Sequence, residues 1–189
     1  MFTGIIEAQA KIKEIQDGRF VLENPFKEEL HIGQSIAHDG ACMTLESIAE
    51  GSYSFFAMEE SLKKTNFWEK KVGDSFNVER SMKIWERIDG HFVTGHVDTR
   101  GIVKHIEKKQ DSSLILWVSF PEHFSLYTIE KGSISLNGTS LTIVEKLPGY
   151  ISVSLIPLTQ DWTNLGKVQI GDTLNIEFDM LGKYVLQKV

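Results

Sequence analysis

One pattern is written twice in this chain, and any fold must accommodate that. TGIIEAQAKIKEI from Thr3 returns as TGHVDTRGIVKHI from Thr94. SIAHDGACMTL from Ser35 returns as SISLNGTSLTI from Ser133, and TNFWEKKVGDSFNVERSM from Thr65 returns as TNLGKVQIGDTLNIEFDM from Thr163. Laid over each other without gaps, residues 33–82 and 131–180 share 13 identities in 50 positions. A unit that recurs in fixed order is a structural unit, so 189 residues fold as two like bodies. Glycines coincide at Gly40 and Gly138, Gly51 and Gly149, and Gly73 and Gly171. Matched glycines argue matched turns, because glycine serves where the backbone needs positive φ or close approach. The change of offset places seven extra residues in the second copy between Thr94 and Ser133, with the polar stretch Lys108–Asp111 as their expected position.

Each copy reads as short strands rich in Val, Ile, Phe and Thr, broken by glycine-containing turns. Examples are Arg19–Leu22, Ser35–Ala37, Met43–Ser47, Ser52–Phe56, Ser75–Arg80, Leu114–Ser119, Leu141–Glu145, Ile151–Ile156 and Thr173–Phe178. Short helices are expected at Glu59–Thr65, at the equivalent Leu158–Asn164, and near Phe120–Tyr127. The reading is all-β: two tandem small antiparallel barrels, 1–88 and 89–180, joined around Met82–Gly90 and followed by a short tail, 181–189. One large sandwich is the competing architecture. It is disfavoured because each copy is complete and a barrel closes its own edges.

The formal net charge is −6, against the basic face a duplex-binding protein needs. No apolar run approaches the ~20 residues of a membrane span, and MFTGIIEAQAKI does not read as a signal peptide. Cys42 is the single cysteine, which excludes an intrachain disulfide and cysteine-rich zinc sites and fits a reducing, cytoplasmic setting.

The positions where the copies differ are an internal control. Cys42 faces Ser140, Asp39 faces Asn137, Ile5 faces His96, Ser81 faces Asp179 and Ala41 faces Thr139, while Thr44 and Thr142 agree. One copy offers a thiol. The other offers a hydroxyl, an imidazole and a carboxylate. Each has a plainer reading: Cys42 as a small buried apolar residue, Ser140 and Thr142 satisfying strand ends, and Asp179 capping a helix through Met180–Gln187. His91 and His96 are five apart, the wrong parity for one strand face, so no metal site is expected.

MFTGIIE, SIAHDGACMTL, TNFWEKKVGDSFNVER, GHFVTGHVD, KGSISLNGTSLT, LIPLTQDWTNLG and NIEFDMLGKYV together resemble the riboflavin synthase family, α-chain type, in order and spacing over nearly the whole chain. The resemblance implies six-stranded Greek-key barrels and a short C-terminal helix. It implies dismutation of two 6,7-dimethyl-8-ribityllumazine molecules by transfer of a four-carbon unit, giving riboflavin and 5-amino-6-(D-ribitylamino)uracil, without metal or redox cofactor. It also implies a homotrimer in which the N-terminal barrel of one subunit meets the C-terminal barrel of the next. Carried over residue by residue, Cys42, Ser140, His96 and Asp179 would do the chemistry. The N-terminal pocket would comprise Gly4, Ile5, Ile6, Cys42, Met43, Thr44, Phe56, Ala57, Met58, Glu59, Glu60 and Ser61. The C-terminal pocket would comprise Gly95, His96, Val97, Lys131, Ser140, Leu141, Thr142, Leu155, Ile156, Pro157, Leu158, Thr159 and Gln160.

Two departures stand out. Asn137 occupies a position where the family often has Asp, and an amide cannot act as a base, so it is given a positioning role. Ten residues follow Asp179, enough for two to three helical turns, whereas longer members hold the trimer with a longer helix. A non-catalytic lumazine- or flavin-binding antenna protein is the alternative function. Such relatives lose pocket residues in one barrel, whereas both sets are present here. An oligonucleotide-binding barrel would need a basic groove with stacking aromatics, which the sequence lacks.

Overall fold

In the computed structural model, which describes residues 1–27 and 30–187, each copy closes into its own barrel. The first contains β1 (Ala8–Gln16), β2 (Arg19–Glu23), β3 (Ser35–His38), β4 (Ala41–Ala49), β5 (Ser52–Phe56) and β6 (Ser75–Arg80). The second contains β7 (Thr99–Lys108), β8 (Leu114–Ser119), β9 (Ser133–Leu136), β10 (Thr139–Leu147), β11 (Tyr150–Leu155) and β12 (Thr173–Phe178). Around the rings the orders are β1-β2-β5-β4-β3-β6 and β7-β8-β11-β10-β9-β12, the same topology twice, with every pairing antiparallel. The sandwich alternative is thereby excluded.

Local chemistry explains the closure. Asp39-Gly40 and Asn137-Gly138 join β3 to β4 and β9 to β10, and all four residues have positive φ, as a two-residue I′ hairpin turn requires. Register shifts fall at Lys13 in β1 and at its repeat mate Lys104 in β7. They recur at Glu46 in β4 and Val144 in β10. Such bulges bend a strand and increase its twist, which a six-membered ring needs to close. The register also corrects the expected insertion. Phe56 pairs with Arg19, whereas its mate Ser154 pairs with Ile115. Five of the seven extra residues therefore lie in the β7–β8 hairpin loop and two between β8 and β9.

Three short helices follow the strands: α1 (Glu59–Lys64), α2 (Pro157–Trp162) and α3 (Met180–Leu186). Phe120–Tyr127 contributes a 3-10 helix over Glu122–Tyr127. Residues 188–189 of the expected tail lie outside the described residues. The two cores differ in kind. The first is aromatic, with Phe20, Phe55, Phe67 and Phe76 packed ring on ring. The second is aliphatic at the matching positions, with Val153 for Phe55, Leu165 for Phe67 and Leu174 for Phe76.

The barrels meet across a seam of matched polar residues. Asn77 Nδ2 donates to Asn137 O, and its mate Asn175 Nδ2 donates to Asp39 O. Asn164 N–H donates to Asn77 Oδ1, and Asn66 N–H donates to Asn175 Oδ1. At the centre Gly40 and Gly138 lie back to back; a Cβ on either would come 2.8 Å from the other's nitrogen. Asn137 meets the first barrel through its backbone carbonyl, while its side chain accepts from Asn175 N–H and donates to Asn164 Oδ1 within its own repeat.

Candidate active site

The two residues that best distinguish the copies, Cys42 and Ser140, stand at equivalent places two residues beyond the I′ turns, in β4 and β10. Each is backed by a Thr-Gly loop of the other repeat. Ser140 N–H donates to Gly4 O at 2.7 Å, and Cys42 N–H donates to Gly95 O at 2.8 Å. The fit allows no side chain: a Cβ on Gly4 or Gly95 would come 2.6 Å from Cβ of Ser140 or Cys42 respectively. Val97 packs onto the N-terminal core, and Ile6 is buried beside Gly138. This differs from the grouping expected from order along the chain. Gly4 and Ile6 approach the C-terminal barrel, and Gly95 and Val97 the N-terminal one. The physical reason is the seam, where each Thr-Gly segment is laid between the barrels before its strand begins. Ile5, of opposite parity, lines a cleft of its own half.

Ser140 has a partner that spacing along the chain does not indicate. His91 Nδ1 lies 2.7 Å from Ser140 Oγ, and His91 N–H donates to Thr3 O. Burial pushes the His91 imidazole below its ordinary pKa, and the Asp179 carboxylate acts in the opposite direction. A neutral imidazole hydrogen-bonded to a hydroxyl can take or relay a proton. Spacing along the chain compares His91 with His96, but the partner of His91 is 49 residues away, in the β9–β10 hairpin. Asp179 also caps α3, accepting from Leu181 N–H at 2.9 Å, so the plainer reading of that residue holds alongside its charge on His91.

Cys42 is a half-buried free thiol against Phe2, Ala37 and Val93. His96 is exposed. Its N–H donates to Glu177 Oε2 and Thr94 Oγ1, while its ring makes no hydrogen bond among the described residues. Lys131 takes a left-handed backbone, φ 65°, where the first copy has Gly33, and its ammonium pairs with no described residue. Met43, Ala57 and Leu155 are buried in the barrels. Thr44, Phe56, Met58, Glu59, Glu60, Thr142, Ile156, Pro157 and Leu158 are exposed at the same end of their strands and the following helices, with Ser61, Leu141, Thr159 and Gln160 half-buried among them.

Two clefts are related by the repeat. The first, about 710 Å³, includes Thr3, Ile5, Ser35, Glu79 and Ser81 and is rimmed by linker charges such as Arg87 and Asp89. The second, about 380 Å³, includes Ser133 and Asp179, mates of Ser35 and Ser81, under the apolar side chains Leu126, Ile129 and Leu181. Both are of ligand size.

The pattern of two barrels with unlike polar centres can now be set beside known proteins. The lumazine binding domain family matches twice, over residues 3–81 and 94–179. The riboflavin synthase of Actinobacillus pleuropneumoniae is 39% identical, covering 99% of this chain and 89% of that one. The chain belongs to the riboflavin synthase family. Riboflavin synthases of Schizosaccharomyces pombe and Escherichia coli are 38% and 36% identical, covering 97% and 100% of this chain and 91% and 92% of theirs. Among solved structures, LumP complexed with riboflavin superposes with a TM-score of 0.86 at 23% identity, covering 94% of this chain and 99% of that one. LumP complexed with 6,7-dimethyl-8-(1'-D-ribityl) lumazine gives 0.83. The LumP likeness is one of fold; family membership rests on the riboflavin synthases, which are similar over their length as well as this chain's.

Proposed function

We propose that this enzyme converts two molecules of 6,7-dimethyl-8-ribityllumazine into riboflavin and 5-amino-6-(D-ribitylamino)uracil, the last step of riboflavin biosynthesis, without metal or redox cofactor. The observation that carries the reading is the pair of unlike centres on like barrels: a thiol at Cys42, and a hydroxyl–imidazole pair at Ser140 and His91 within the field of Asp179. Similar barrels suit two copies of one substrate. Unlike centres suit a reaction in which one copy gives a four-carbon unit and the other receives it.

The chemistry asks for little else. The 7-methyl group of the lumazine is acidic because its carbanion delocalises into the ring. One partner loses that proton, and the other accepts a nucleophile at the adjacent ring carbon. Holding both partners face to face supplies up to ~7–11 kcal/mol in well-oriented systems, and proton transfer by a placed group adds ~10²–10⁴-fold. Positioning therefore dominates, with His91 and Ser140 on the C-terminal side and Cys42 on the other assisting proton transfer or a transient adduct. The His96 ring and the Lys131 ammonium are exposed and have no partner among the described residues, which suits them to meet ligand. The reading places the reacting pair between subunits of a homotrimer in the cytoplasm, with the N-terminal cleft of one chain facing the C-terminal cleft of its neighbour.

The fold likeness to LumP favours one second reading, a lumazine- or flavin-binding protein without turnover. Incubation of purified protein with 6,7-dimethyl-8-ribityllumazine and no additive separates the two. One riboflavin per two lumazines consumed is expected. Stoichiometric binding without riboflavin would leave the antenna reading.

A further inference from the structure

Each Thr-Gly loop at the seam is held by a single carboxylate, and that carboxylate is nearly sealed from water. Glu79 on β6 is 4% exposed and Glu177 on β12 is 2% exposed. Glu177 Oε1 accepts from Thr94 N–H and Oγ1–H at 2.6 and 2.8 Å, and its Oε2 accepts from the N–H groups of Gly95 and His96 at 2.9 and 3.0 Å. Glu79 does the same for the first copy, with Thr3 N–H and Oγ1–H at 2.6 and 2.8 Å and Gly4 N–H at 3.0 Å. Consecutive amide groups turned toward one anion fix a loop in a way a neutral side chain cannot match, since both oxygens must accept.

The loops so fixed do not end in the barrel that supplies the carboxylate. Gly95 O accepts from Cys42, and Gly4 O accepts from Ser140. We infer that Glu177 and Glu79 are positioning residues wired crosswise: the last strand of the C-terminal barrel sets the place of Cys42, and the last strand of the N-terminal barrel sets the place of Ser140. The path is two hydrogen bonds and one glycine residue long in each case. No flexible side chain intervenes, because Gly95 and Gly4 leave no gap against Cys42 and Ser140. The sites are therefore coupled in pairs across the seam, and damage to one barrel's final strand is read out at the other barrel's reactive side chain. This inference takes Cys42 and Ser140 as the reactive positions from the proposed function, but the coupling itself is a matter of structure.

The test uses the full chain and needs no turnover. Backbone amide hydrogen exchange is followed residue by residue by NMR in wild type, Glu177→Gln and Glu79→Gln. Exchange at Cys42 should quicken at least tenfold in Glu177→Gln while Ser140 keeps its wild-type rate. Glu79→Gln should show the mirror image. The lone thiol gives a second reading: iodoacetamide should alkylate Cys42 at an altered rate in Glu177→Gln and at the wild-type rate in Glu79→Gln. If either glutamine variant fails to fold, Thr94→Val and Thr3→Val remove one donor each and should give the same crossed pattern in smaller amplitude. Equal quickening at Cys42 and Ser140 in both variants would show a merely structural role, and quickening confined to the carboxylate's own barrel would overturn the crossed wiring. Loss of lumazine turnover in wild type would refute the proposed reaction and leave this result standing.

Discussion

Ser140 and His91 are in contact at 2.7 Å, so they should act as a unit. Removing either leaves the other without its partner in a half-buried place. The expected outcome is strong non-additivity: Ser140→Ala and His91→Ala each lower kcat, and the double variant falls little below the worse single one. Additive losses in the kinetic cycle would mean the two groups act separately. His38 offers a different lesson at the same scale. It lies wholly inside the first barrel, with its ring nitrogens 3.1 Å from Ile36 O and 2.9 Å from Tyr53 Oη. Burial pushes it down to about 3, against an ordinary value of 6.5, and pushes Tyr53 up. A depressed folded pKa means full stability above pH 6.5 and loss below it, as the unfolded chain takes up the proton first, at about 1.4 kcal/mol per pH unit until the folded group titrates. The second barrel has Leu136 and Ile151 at these places. His38→Leu with Tyr53→Ile should therefore flatten the pH dependence of urea stability between pH 6 and 4, whatever its cost at pH 7. An unchanged slope would show that His38 is not the group being protonated.

At the level of elements, the copies diverge in pairs. Asp39 at the first I′ turn is ion-paired with Lys70 at 2.7 Å, its carboxylate fully buried. The second copy has the neutral pair Asn137 and Val168. Breaking a buried pair from one side is far worse than replacing both partners. Lys70→Val should cost about 3–5 kcal/mol in urea unfolding, and adding Asp39→Asn should recover most of it. Equal losses in the single and double variants would contradict this. The repeat, the strands and the short helices were legible because turn glycines and β-branched runs announce themselves locally. Five of the identities within the duplication are Asn66 with Asn164, Asn77 with Asn175, Glu79 with Glu177, Thr65 with Thr163 and Gly40 with Gly138. Four of these pairs hold the barrels to each other or fix the loops between them, and only the threonines are local, capping the turns before Phe67 and Leu165. A one-dimensional repeat cannot say whether a matched polar residue bonds within its own copy or across to the other, so the crossing of the Thr-Gly loops was invisible. The role of His91 is illegible in the sequence for a related reason: its partner is 49 residues away.

For the whole molecule, two like barrels are bound by a polar, glycine-centred seam, and α3 follows the second of them. This helix leaves Leu181, Tyr184 and Val185 exposed, and Leu181 and Val185 line the cleft with Leu126 and Ile129. Apolar side chains grouped in this way mark a contact surface. Sedimentation across a dilution series should give three times the 21.4 kDa of the chain, with activity falling as the assembly dissociates. Full activity in a strictly monomeric species would refute the shared site. The division of labour between unlike centres is the claim on which the rest depends. Single-turnover riboflavin formation at saturating lumazine, compared among wild type, Cys42→Ala and Ser140→Ala, tests it most directly. The account predicts a fall of ~10²-fold or more for Cys42→Ala and a smaller but clear fall for Ser140→Ala; equal rates in all three proteins would contradict it, leaving the positioning of two lumazines as the whole of catalysis.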